Sequence, residues 1–154
     1  MSEVEESYQR TRTLNGQGGI AMSLIKLDQN GQIPQMQITE VKGQSYAYEV
    51  FIRKVINGAV RELAHIRSRD LPNPILPFPL RHTPDELQDA RIIWFVFIFS
   101  PTDDDSIDPY KIDIKFTQDQ RILTPDPDDP PPPHEGALTK GVAHVIGDVF
   151  VFSG

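Results

Sequence analysis

Residues 45–66 read SYAYEVFIRKVINGAVRELAHI, and the fold class turns on the period of that stretch. Tyr48, Ile52, Val55, Ala59, Leu63 and Ile66 recur at intervals of three and four, which places them on one face of a helix, with Phe51 and Val60 widening it. Ser45 supplies an N-cap. Arg53, Lys54, Arg61 and Glu62 occupy the rest of the surface, and Gly58 weakens the middle by roughly 1 kcal/mol relative to alanine. A helix here predicts an α+β domain: a mixed or mainly antiparallel sheet of about five to seven strands, with this one long amphipathic helix packed on it and Pro-rich loops between elements.

The sheet is built from the flanking sequence. Arg91–Ser100 (RIIWFVFIFS) holds eight consecutive apolar residues, rich in β-branched and aromatic types, and predicts a strand buried on both faces. Val142–Phe152 predicts another, with Val149 and Val151 on one side and Phe150 and Phe152 on the other. Ile20–Leu27 and Ile33–Val41 are strand-like, and Asn30-Gly31 between them supplies the positive-φ residues of a tight hairpin turn. Tyr110–Phe116 alternates strictly and turns back through Thr117–Gln120 into Arg121–Leu123, a second hairpin. Five prolines within residues 67–84 impose an extended path, and Ile75, Leu76, Phe78 and Leu80 among them predict a clasp lying on apolar surface along a sheet edge. Thr83-Pro84-Asp85-Glu86 has the cap, proline and acidic first turn of a short helix.

The arm-and-turn pattern Gly19–Val41, followed by Gly43 and the amphipathic stretch, resembles the opening of TonB-type C-terminal domains. The likeness covers under a third of the chain and rests on generic turn chemistry, so no functional residue is carried over from it.

Residues 1–19 are polar and end in Asn15–Gly19, which predicts a flexible N-terminal arm ahead of a single domain over 20–154. Net charge is −7, and its distribution is uneven: residues 101–135 hold ten acids against three bases, which accounts for the whole imbalance. Such a surface repels a polyanion, and no basic stripe with interleaved aromatics offsets it, so direct nucleic-acid binding is not expected. The absence of cysteine removes thiol nucleophiles, disulfides and thiolate metal sites. An acidic start and a longest apolar run of eight residues predict neither a secretory signal nor a membrane-inserted helix, and point to a cytoplasmic protein or one within a particle assembled there.

Motifs for chemistry are weak. Asp28-Gln29-Asn30-Gly31 echoes half a calcium loop but lacks the later ligands. Asp103, Asp104, Asp105 and Asp108 place four carboxylates within six residues of a connection that reads as solvated. His65, His82, His134 and His144 have no metal-ligand spacing, the serines lack nucleophile-elbow glycines, and Gly16–Gly19 precedes a strand where a phosphate loop should follow one. No cofactor, catalytic residue or metal ligand is therefore expected.

Function is expected to lie in binding: a non-catalytic structural or assembly subunit of a larger complex, contacting other protein subunits as a homo- or hetero-oligomer. An acidic regulatory or immunity-type protein that masks a basic partner is the alternative, and a cryptic enzyme the third reading. The candidate partner-binding residues are Asp103, Asp104, Asp105, Asp126, Asp128 and Asp129, which can steer a basic partner, together with Pro131 and Pro132 of a polyproline tract.

Overall fold

In a computed structural model the protein is described over residues 23–101, 105–123 and 134–154. The expected N-terminal arm over 1–19, with Gly16–Gly19, and the proline tract 130–133 lie outside those residues. Ten strands form two sheets that pack face to face. They are β1 (Ser23–Leu27), β2 (Gln35–Glu40), β3 (Ser45–Ile56), β4 (Ala59–Arg67), β5 (Phe78–Pro79), β6 (Arg91–Phe99), β7 (Asp108–Gln118), β8 (Arg121–Leu123), β9 (Glu135–Leu138) and β10 (Val142–Ser153). The first sheet runs β1-β10-β6-β3-β4; the second runs β5-β2-β7-β8, with β9 also on β7. Neighbours are antiparallel except β1, which runs parallel to β10.

The architecture is therefore mainly β, and the expected α+β class with its long amphipathic helix is wrong. Residues 45–66 are the β3–β4 hairpin. Tyr46, Tyr48, Val50 and Ile52 point inward at a period of two, while Phe51 and Arg53 point out. At the turn, Asn57 (φ 52) and Gly58 (φ 79) are both left-handed, the requirement of a two-residue hairpin loop matched to strand twist. A register shift between Ile52 and Arg53 and the turn itself change the phase of the pattern, and this produced the helix-like spacing. Val55 and Ala59, both assigned to the buried helical face, are exposed. With the helix goes the likeness to TonB-type domains.

The other Asn-Gly also differs from expectation. β1 and β2 belong to different sheets, so Asp28–Gly31 is a corner between layers and not a hairpin turn. Gly31 N–H donates to Asp28 O at 3.0 Å and Asn30 N–H to Asp28 Oδ1 at 2.9 Å, and neither Asn30 nor Gly31 has positive φ. Glycine at 31 leaves room for this packing: a Cβ would lie 2.5 Å from the side-chain ends of Gln118 and Asp119, which would have to shift. Buried Gln118 holds this corner: its Nε2 donates to Asp28 O and Gln32 O, and its Oε1 accepts from Asp28 N–H. Glu40 does the same for the β2–β3 connection, accepting from the N–H groups of Lys42, Gln44 and Lys111.

Other expectations hold. β6 is the central strand of the first sheet, and β10 lies beside it. β7 and β8 form the second hairpin, turning at Asp119 and Gln120, both with positive φ. The clasp lies on the edge of β2 through β5 and buries Phe78 and Leu80, but Ile75 and Leu76, also expected on apolar surface, are exposed. Tyr48 Oη donates to Pro74 O at 2.6 Å and fastens it. Thr83 caps a one-turn helix, α1 (Pro84–Leu87), through a reciprocal capping box with Glu86.

The core lies between the sheets. Val50, Ile52, Ile92, Trp94, Val96, Ile98, Val149 and Val151 from the first meet Met36, Ile38, Ile112 and Phe116 from the second. Trp94 and Phe116 have ring centroids 6.0 Å apart across the layers. Among the described residues no helix is long and apolar enough to cross a membrane.

Candidate interaction face and interior cavity

A strand in a two-layer sandwich has one face in the core and one facing out, and alternation normally makes the outward face polar. The second sheet follows this rule with one exception: Gln35, Gln37 and Thr39 of β2 and Asp113, Lys115 and Thr117 of β7 form its outer surface, beside an exposed Ile122 of β8. The first sheet breaks it. Phe95, Phe97 and Phe99 of β6 point outward, flanked by Phe51 on β3 and by Val142, His144 and Ile146 on β10. Phe99 is 40% exposed, Val142 48% and Ile146 61%, and Phe95 and Phe97 are only half-buried. The expectation that 91–99 is buried on both faces thus holds for the inner face and, on the outer face, for Ile93 but not for Phe95, Phe97 and Phe99; 142–152 is likewise buried inside and partly exposed outside. No strand or helix of the described residues lies over this surface.

The side chains on the face order one another. Phe51 stacks on His65 of β4 with centroids 4.3 Å apart and meets Phe95 edge-on at 5.6 Å; Phe97 meets His144 edge-on at 5.1 Å. Arg53 lies 5.0 Å above the Phe51 ring. Arg91 and Asp148 pair at 2.7 Å, and His65 approaches Glu49 at 3.7 Å. With Lys26, Glu62 and Arg67 at the margins, charges on this face nearly balance, although the whole chain carries −7.

A second feature is internal. A partly open cavity of about 160 Å³ lies between the sheets, lined by Trp94, Ile112, Asp113, Ile114, Phe116, Leu123, His134 and Val149. Trp94 is 2% exposed, yet its Nε1 has no hydrogen-bond partner, and neither does the buried His134 Nε2. The two rings meet edge-on with centroids 5.9 Å apart. An unmet buried polar atom costs roughly 1–3 kcal/mol, so two at one cavity need an explanation. Burial holds the His134 pKa below its usual value, favouring the neutral ring.

Of the residues expected from sequence to bind a partner, Asp105 is described: it is almost fully exposed and lies 3.2 Å from Lys140 Nζ. Asp103, Asp104, Asp126, Asp128, Asp129, Pro131 and Pro132 lie outside the described residues. The four histidines sit on separate elements, His65 on edge strand β4 and not at a helix end, and His82 beside α1 with one ring nitrogen 2.8 Å from Leu63 O. Sequence reasoning missed the exposed face because an uninterrupted apolar run carries no sign of which side is wet. Ile146 and His144 signalled it only once placed opposite Phe95 and Phe97.

Comparison with protein-family models, with curated proteins and with solved structures finds no match to this chain.

Proposed function

We propose that this protein is a non-catalytic assembly subunit that docks through the outer face of its first sheet, and that the surface it meets there is the same face of a second copy. One observation carries this reading: aromatic and aliphatic side chains on three adjacent strands, Phe51, Phe95, Phe97, Phe99, Val142 and Ile146, face outward together, while the opposite sheet presents glutamine, threonine and charge around a single exposed Ile122. Contiguous apolar surface of this kind is the composition of an interface core. The near-balance of charge favours self-association, because two chains of −7 repel least where each is locally neutral. Sheets also pack face to face at a spacing set only by their side chains, about 10 Å, so two copies need no special shape.

Size exclusion with light scattering on the wild type and on Ile146→Asp and Phe99→Asp tests this. Wild type runs at twice the chain mass, while both variants run at the chain mass with unchanged circular dichroism. A wild type that is monomeric at high concentration, or an Ile146→Asp variant that stays dimeric, overturns self-association through this face. The acidic residues separate the alternative reading. Changing Asp103, Asp104, Asp105, Asp126, Asp128 and Asp129 to asparagine brings the net charge from −7 to −1. An interface on the apolar face then tightens at low salt; a protein that masks a basic partner instead loses association rate with that partner.

A further inference from the structure

Trp94 and Gly147 are register partners across β6 and β10, and the indole lies directly against the glycine backbone. That placement carries the indole N–H end into the cavity beside His134, where neither ring nitrogen finds a partner. We propose that this cavity is a binding site for a small planar ring bearing one hydroxyl, a phenol-class ligand.

Three observations converge on that chemistry. The first is size: a cavity of about 150 Å³ with apolar walls admits benzene, and this one is about 160 Å³. The second is wall composition. Ile112, Phe116, Leu123 and Val149 offer dispersion contacts to a ring, whereas a lone bridging water would satisfy the nitrogens and leave those walls without neighbours. The third is the polar pair itself. Indole N–H only donates, while an imidazole nitrogen either accepts or donates according to tautomer. A hydroxyl answers both, accepting from Trp94 Nε1 and donating to His134 Nε2.

Trp94 is the only tryptophan, so its indole N–H gives a single resonance in a proton–nitrogen correlation spectrum and reports on the cavity without ambiguity. The intact chain is titrated with phenol and, separately, with benzene. Phenol is expected to shift that resonance saturably and to bind roughly two- to tenfold more tightly than benzene, the worth of about one hydrogen bond. His134→Phe is expected to remove the preference while benzene binding persists. Leu123→Phe, which adds volume at the partly exposed rim, is expected to weaken both. Absence of a saturable shift up to the solubility limit means a bridging water only and overturns the proposal. Equal affinity for phenol and benzene in the wild type also overturns it, since the two nitrogens then recognise nothing.

Discussion

Gly147 sits opposite Trp94 at a distance no other residue could keep: a Cβ at 147 would come within 2.5 Å of Trp94 Cζ2 and 2.6 Å of its Nε1. The backbone at 147 has no positive φ, so close approach of the indole is the whole reason for glycine there. Gly147→Ala should destabilise the protein by about 1–3 kcal/mol through overpacking. Urea unfolding checks this, and a variant as stable as wild type would show that the indole can move aside freely.

The two faces of β6 should respond differently to truncation. Trp94→Ala removes a buried ring and should cost about 3–5 kcal/mol. Phe97→Ala removes a half-buried ring from the outer face and should cost only about 1–2 kcal/mol in a dissociated chain. Chemical denaturation at concentrations too low for association makes the comparison; equal losses would mean that Phe97 is covered within its own chain.

Burial, more than any other influence, pushes the Tyr48 hydroxyl well above the ordinary phenol pKa, and it raises Tyr46 in the same direction. Both folded values lie above the unfolded one. Their contribution to stability is therefore complete below about pH 10 and is lost as pH rises from there toward the folded value. Wild type should lose more stability than Tyr48→Phe between about pH 8 and about pH 11, while the variant loses about 1 kcal/mol at neutral pH with the bond to Pro74 O. Urea midpoints at the two pH values decide it, and parallel slopes would count against a buried Tyr48 hydroxyl.

Gly58→Ala separates the hairpin from a helix by the sign of its effect. With φ at 79 the alanine pays about 1–2 kcal/mol for the left-handed conformation. In a helix interior the same change would stabilise by roughly 1 kcal/mol. Thermal melting gives the sign.

That residue also marks where sequence reasoning succeeds and fails. The capping box at Thr83–Glu86 and the β7–β8 hairpin are local, and local chemistry specifies them; the clasp's extended path is local too, although its pairing with β2 is not. The hairpin expected at Asn30-Gly31 is found at Asn57-Gly58, which read as helix interior, and 30–31 makes a corner. What distinguishes them is Gln118, whose amide grips the corner from 90 positions away and leaves no trace near residue 30. A one-residue phase shift at Ile52/Arg53 turned two alternating strands into an apparent three-four repeat. The outward Phe95 and Phe97 share an apolar run with inward Trp94 and Val96, so only the register shows which are wet. The cavity joins Trp94 to His134 across the layers, a contact no pattern along the chain announces.

The place of β10 bears on how the protein is made. It lies between β1 and β6, yet its residues, 142–153, are synthesised after those of every other strand. Until they leave the ribosome, β1 has no neighbour in its sheet and one long side of β6, the most apolar strand, offers bare amides and carbonyls to any passing chain. Closure of the first sheet therefore waits on residues 142–153, and that side of β6 stays open until they arrive.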